Sequence, residues 1–160
     1  MKRTWLYLMM VLTVFTSTAL GAPEPLDVAL GAQAGMQDVS GKPVWIFGPI
    51  AEFGPRDGLQ VRLGAELGVI GEASITQLET LVFLNLTLGA RIYFGGGVAV
   101  AWVAGAADPS HMQIPLLVLA GLKTRPIGPW TFSVEGLLLV PADLQGGFTT
   151  RFSAGLLFAL

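Results

Sequence analysis

The 160-residue sequence contains no cysteine, a single histidine and few charged residues. The absence of cysteine excludes a disulfide scaffold and a thiolate metal site. Charged residues make up 12% of the chain, whereas an ordinary soluble domain carries about 25%. The formal net charge is −2 and no basic stripe is present, which argues against nucleic-acid binding. The hydrophobic fraction of 52% argues against intrinsic disorder and, at this length, favours one domain.

The first 22 residues have the three-part pattern of a secretory signal peptide. Lys2 and Arg3 form a basic start, an apolar stretch follows, and small residues come last. The apolar stretch is shorter than the ~20 residues that a membrane-spanning helix needs. We therefore predict a signal peptide at residues 1–22 and a single mature domain at residues 23–160. This domain has no second long apolar run, so helices are not expected to anchor it.

The mature segment alternates between apolar and polar residues and shows no sustained helical repeat. In residues 59–70 every odd position is apolar, while the even positions include Gln60, Arg62 and Glu66. A period of two predicts β-strands. Because the predicted connections are short, neighbouring strands are expected to be antiparallel. The alternation predicts an all-β, eight-stranded up-and-down barrel (a meander), with strands near residues 26–37, 44–53, 59–70, 78–93, 97–106, 112–123, 130–141 and 147–160.

Glycine and proline mark three positions in this strand map. Gly95 and Gly96 are predicted to form a tight turn between two strands, not a phosphate-binding loop. Pro49 and Pro115 fall inside predicted strands, where each lacks the N–H donor of the ladder. A bulge or a break is therefore expected at each proline.

The position of the charges predicts which face of the barrel points inward. A soluble barrel keeps its apolar face inside, whereas a transmembrane barrel turns that face to lipid. The polar face carries only about one charge per strand, which is too sparse for a solvated surface. We therefore predict a transmembrane β-barrel whose narrow lumen is filled by an ion-pair network. Its predicted members are Asp27, Glu52, Arg62, Glu66, Glu79, Arg91, Lys123, Glu135 and Arg151.

Aromatic residues gather toward both ends of the predicted strands. Such rings settle at the headgroup level of a membrane. Two aromatic girdles are therefore predicted, one formed by Trp45, Trp102 and Phe148 and the other by Phe53, Phe94, Trp130 and Phe158.

With these features the chain resembles the small outer-membrane β-barrels of the OmpA/OmpX type, within the porin-like barrel superfamily. The final strand alternates like the C-terminal signal that such families present to the barrel-assembly machinery; its apolar residues are Phe152, Ala154, Leu156, Phe158 and Leu160. The resemblance implies a location in the cell outer membrane and a structural or membrane-stabilising role. Outer-membrane lipids and the assembly machinery are the implied partners. No cofactor, nucleic acid or further protein partner is expected.

Two other functions stay open from the sequence: a narrow ion or small-solute channel, and a periplasmic soluble β-barrel that binds a lipid. Arg62 and Glu66 are candidates for a channel gate, although a structural ion pair between them is favoured. His111 lies beside Ser110 and near Asp108 in a predicted loop. Neighbouring residues of a short turn do not reach the spatial arrangement of a catalytic triad. We therefore predict no catalytic residue, no metal ligand and no enzymatic activity.

Overall fold

The computed structural model describes residues 27–39, 41–70, 73–88, 90–105, 108–141 and 148–160. The predicted signal peptide at residues 1–22 lies outside the described residues. Within those ranges, no helix is long and apolar enough to cross a membrane. The strands are β1 (Asp27–Val39), β2 (Lys42–Gly54), β3 (Gly58–Ile70), β4 (Ala73–Leu88), β5 (Ala90–Gly105), β6 (Asp108–Gln113), β7 (Leu116–Lys123), β8 (Trp130–Val140) and β9 (Thr149–Ala159).

These segments form one closed antiparallel sheet. Both β6 and β7 pair with β5, so together they make one barrel strand with a gap between its two parts. Each barrel strand pairs with the next along the chain, and β1 pairs with β9 to close the sheet. The fold is therefore an eight-stranded up-and-down barrel, which confirms the predicted fold class.

The two prolines within predicted strands have different effects. Pro115 lies in the gap between β6 and β7, where a break was predicted, and its carbonyl accepts a hydrogen bond from Ala99 N at 3.1 Å. At Pro49 the strand itself has no break, contrary to the prediction, because β2 runs through this residue and pairs it with Ala32 of β1. The pairing of β2 with β3 skips residues 48–49 and resumes in the same register. The missing donor therefore interrupts one ladder and leaves the strand whole.

The predicted turn at Gly95 and Gly96 is also wrong. The chain turns earlier, because β4 ends at Leu88 and β5 begins at Ala90, so both glycines lie inside β5. A Cβ on Gly95 would overlap the carbonyl oxygen of Val82 in β4. Glycine is needed here for the close approach of two strands and not for a turn. Leu88 of β4 pairs with Ala90 of β5, and paired residues point to the same face of the sheet. The even-numbered residues of β4 and β5 therefore share one face, although the turn was misplaced.

The predicted loop around His111 is a strand as well. β6 covers Asp108–Gln113, and His111 pairs with Val103 of β5. The register shifts between Val103 and Gly105, which marks a β-bulge or irregularity near this end of the barrel. Asp, Pro and Ser favour a turn locally, but the ladder with β5 continues past them.

The apolar stripe of the strands points away from the barrel axis. Leu63, in the middle of β3, is 47% exposed, whereas the neighbouring Arg62 is completely buried. Among the outward-facing side chains of the strands whose exposure the structure describes, only Asp38, next to the β1–β2 turn, carries a charge. Apart from Asp38, the charged strand side chains whose exposure the structure describes therefore lie on the inward-facing positions.

Candidate functional site: the barrel lumen

Seven of the nine predicted lumen charges are buried together inside the barrel. They come from six different barrel strands, and none is more than 6% exposed. The interior of an eight-stranded barrel is only wide enough for side chains to fill, so residues from opposite walls meet. The seven residues are Glu52, Arg62, Glu66, Glu79, Lys123, Glu135 and Arg151.

Four of these residues form a charge-neutral group, called the quartet: Lys123, Glu52, Arg62 and Glu135. Arg62 Nε and Nη2 donate to Glu52 Oε1 at 3.0 and 2.8 Å. Arg62 Nη1 donates to Glu135 Oε2 at 2.6 Å. Lys123 Nζ donates to Glu52 Oε2 at 2.6 Å. Each cation of the quartet thus has a carboxylate, as burial in a low-dielectric interior requires.

The other three charged residues form a group called the acidic trio: Arg151, Glu66 and Glu79. Arg151 Nη1 donates to Glu66 Oε2, and Nη2 donates to Glu79 Oε2 at 2.9 Å. Gln33 Nε2 donates to Oε1 of Glu66 at 2.6 Å and to Oε1 of Glu79 at 3.2 Å. Glu135 Oε1 lies 3.9 Å from Arg151 Nη2 and connects the trio to the quartet. The trio therefore places two carboxylates against one cation.

Two aromatic rings flank the cations of the quartet. Lys123 Nζ lies 4.6 Å from the centre of the Phe83 ring and 4.9 Å from that of Tyr93. Arg62 Cζ lies 5.3 and 5.7 Å from the same two centres. The Tyr93 hydroxyl donates to Glu135 Oε2 at 2.7 Å. Because a cation over a ring face gains about 2 kcal/mol or more when it is desolvated, these rings replace part of its hydration.

Part of the lumen filling is apolar, and the sequence reasoning missed it. Inward-facing side chains of β4, β5, β7 and β8 form a hydrophobic cluster, so these strands carry apolar residues on both faces. The available signal was three short runs without any polar residue, at 81–84, 116–119 and 137–140. The cluster consists of Leu81, Phe83, Tyr93, Ala99, Leu117, Leu119, Leu137 and Leu139.

The prediction placed Asp27 and Arg91 in the lumen network, and the structure corrects this. Asp27, at the start of β1, pairs with Arg56 at 3.3 Å, and both side chains are about half exposed. Arg91, at the start of β5, is only partly buried. Both residues lie at the end of the barrel, where water competes for their charges.

The predicted ion pair between Arg62 and Glu66 is a second correction. Arg62 bonds to Glu52 and Glu135, whereas Glu66 bonds to Arg151. Residues four apart on one strand are separated by about 13 Å along it, so their side chains reach across the lumen more easily than along the wall.

The predicted girdle residues lie on the outward face toward the barrel ends. At one end, Trp45 and Phe148 are about 70% exposed. At the other end, the Trp130 and Phe158 rings meet edge to face with their centres 4.9 Å apart. The other girdle residues on this face are Phe53, Phe94 and Trp102.

Solved structures with the same architecture include small outer-membrane barrels. Neisserial surface protein A has a TM-score of 0.60 at 13% identity, covering 86% of this chain and 99% of that one. The N-terminal β-barrel domain of Pseudomonas aeruginosa OprF has a TM-score of 0.63 at 12% identity, covering 81% and 97%. A major outer membrane protein from Thermus thermophilus has a TM-score of 0.58 at 12% identity, covering 86% and 100%. This chain has the fold of the small outer-membrane β-barrels.

The likeness to these barrels concerns the backbone. No protein-family model and no curated protein matches the sequence. In this outer-membrane barrel fold, the quartet, the acidic trio and the hydrophobic cluster fill the lumen together, and Phe83 and Tyr93 of the cluster contact the cations of the quartet.

Proposed function

We propose that the chain is an integral outer-membrane β-barrel protein with a structural, membrane-stabilising role. The observation that carries this proposal is the inverted placement of polarity, with leucines such as Leu63 outside and Arg62 and Arg151 fully buried inside. An apolar band of this extent is far larger than the patches that soluble monomers expose. A closed barrel also pairs the backbone groups of its strands, which hydrocarbon demands. The likeness to solved outer-membrane barrels supports the same location.

Strand length supports a membrane-spanning role. A tilted transmembrane strand needs about 9–11 residues. β1, β2 and β3 have 13 residues each, β4 and β5 have 16, and β8 and β9 have 11. The sixth barrel strand reaches a comparable length through β6 and β7 together.

The contents of the lumen favour a structural role over an open channel or a lipid-binding barrel. A lipid carrier needs an apolar cavity, but buried carboxylates and guanidinium groups lie at the centre of this interior. A channel needs a continuous path, but the quartet and the trio bond from wall to wall. We propose that these contacts close the lumen and brace the barrel, without enzymatic activity.

The proposal extends to targeting and assembly. Residues 1–22 serve as a cleaved signal peptide, and β9 presents its alternating apolar residues to the barrel-assembly machinery. The outward face then contacts outer-membrane lipids. Amino-terminal sequencing of the mature protein is expected to show a start within residues 20–23. A mature protein that retains Lys2 and Arg3 would contradict the targeting step.

Membrane fractionation tests the location. The protein is expected in the outer-membrane fraction, to resist washing with urea and to dissolve only in detergent. Abundant protein in the soluble periplasmic fraction would overturn the proposal and favour the lipid-binding barrel. A steady conductance of the purified protein in planar bilayers would instead favour the channel.

A further inference from the structure

We propose that the acidic trio binds one proton on its pair of carboxyl groups, Glu66 and Glu79. The proposal rests on the membrane-embedded barrel proposed above, because lipid around the barrel makes an uncompensated charge in the lumen costly. It adds a ligand and a site to that structural role.

Charge balance in the lumen is the first observation. Among the described residues, four buried carboxylates face three buried cations, so the network carries one negative charge more than it can neutralise. The quartet is balanced within itself, which leaves the excess charge on Arg151, Glu66 and Glu79. A buried charge without a partner is strongly disfavoured and is removed by taking up a counter-charge. A proton is the smallest counter-charge that fits among carboxyl groups already hydrogen-bonded to Arg151 and Gln33.

Shared partners are the second observation. Glu66 and Glu79 depend on the same guanidinium of Arg151 and the same amide nitrogen of Gln33. Glu135, by contrast, has Arg62, the Tyr93 hydroxyl and the Ser153 hydroxyl as donors. When two carboxylates share one site, the charged form of one of them is disfavoured. The proton therefore belongs to the Glu66–Glu79 pair.

Gln77 supplies the third observation. It is 2% exposed, faces the lumen directly opposite Glu66 in the β3–β4 register, and lies two residues before Glu79 on the same face. Its Nε2 has no hydrogen-bond partner in the part of the chain that the structure describes. Among the described residues, Arg151 Nε also has no partner. Two buried donors beside the pair favour one ionised carboxylate, so they fit a pair that holds one proton and not two.

Among the residues that the structure describes, the charged groups that face the pair from other strands are Arg151 of β9 and Glu135 of β8. Arg62, Lys123 and Glu52 lie beyond Glu135 and are occupied with one another. Arg151 alone compensates one of the two carboxylates, while Glu135 adds further negative charge. The surroundings of the pair thus favour the singly protonated state.

Infrared spectroscopy of the protein in phospholipid vesicles tests the site directly. At neutral pH the wild type is expected to show the carbonyl band of a protonated carboxyl group. Glu66→Gln and Glu79→Gln are each expected to lose the band, because the remaining carboxylate pairs with Arg151. The matched control combines Glu52→Gln with Lys123→Met, which removes one ion pair from the quartet, and is expected to keep the band.

The pH dependence of stability is a second measurement. The folded state holds a proton that unfolded glutamates release above about pH 5, so the folded state binds more protons and stability falls as pH rises. The unfolding equilibrium constant of the wild type is expected to rise by at most about tenfold per pH unit while the proton is bound. In Glu66→Gln this dependence is expected to disappear. Urea titrations in vesicles at fixed ionic strength measure it.

Three outcomes would overturn the proposal. The first is a wild type without the carboxyl band at neutral pH, which is decisive even where a variant fails to fold. The second is a band that survives in both single variants. The third is stability that follows sodium concentration and not pH, which would identify a metal cation as the counter-charge. A protein that fractionates with the membrane but lacks the band refutes this inference alone, whereas a soluble protein refutes the proposed function.

Discussion

Replacing Leu63 by arginine tests which way the strands face. Leu63 points outward near the middle of β3, where it pairs with Ala51 of β2 and Thr80 of β4. An arginine at this position must leave water for hydrocarbon or distort the bilayer to reach the surface. The expected loss of stability in a membrane is about 2–4 kcal/mol, the cost at the midplane of a transmembrane barrel.

Val69→Arg is the matched control on the same strand and the same face. Val69 lies six residues further along β3 and is also exposed. At about 3.3 Å per residue the two positions are about 20 Å apart along the strand. With a strand tilt of about 40°, the two positions are about 15 Å apart along the membrane normal. The apolar band extends only roughly 12 Å to each side of the midplane. Val69 therefore reaches the interface, where arginine costs about 0–1 kcal/mol.

The assay is reversible urea unfolding in phospholipid vesicles, followed by tryptophan fluorescence. Folded fractions can be checked by gel mobility without heating. The Leu63 variant is expected to lose about 1–4 kcal/mol more than the Val69 variant. Equal losses at the two positions, or a larger loss at Val69, would refute the outward assignment and the membrane location built on it.

Three further predictions concern the interior and the packing of strands. Arg62→Met is expected to lower the free energy of unfolding in urea by about 3–5 kcal/mol. The double variant Arg62→Met with Glu135→Gln is expected to lose about 0.5–3 kcal/mol less than the sum of the two single losses. Strictly additive losses would contradict the contact of the two side chains at 2.6 Å. Gly97→Ala places a Cβ against the Thr80 backbone and should reduce the folded fraction on unheated gels, whereas Gly136→Ala has ordinary contacts and should be tolerated. Purified wild-type protein should show no steady conductance in planar bilayers, and a stable open level would contradict a closed lumen.

The facing of the strands and the eight-stranded barrel could be predicted from the sequence, because each strand carries its own apolar stripe at period two. The turn between β4 and β5 could not. The glycines at 95–97 give a stronger local turn signal than the single Gly89. Only the long-range ladder of β5 with β4, which runs through Gly95 and Gly97, selects the earlier turn.

The pairing of charges in the lumen could not be predicted either. Which acid pairs with which base depends on the stagger of the strands around the barrel. The spacing of charged residues along one strand gives no information about that stagger. Arg62, for example, bonds to Glu135, 73 positions further along the chain. The hydrophobic cluster was missed for a different reason. Where both faces of a strand are apolar, as at residues 137–140, alternation carries no signal.

The junction between β1 and β9 has a consequence for assembly. These two strands are far apart in sequence, yet they pair from Ala29 with Ala159 to Gln37 with Arg151. Joining them carries the largest loop-closure entropy of any ladder in the sheet. Until they meet, each presents an open edge of unbonded amides and carbonyls that hydrocarbon does not tolerate. Insertion and ring closure must therefore be completed as one cooperative event, and a half-inserted curved sheet is not a stable resting state.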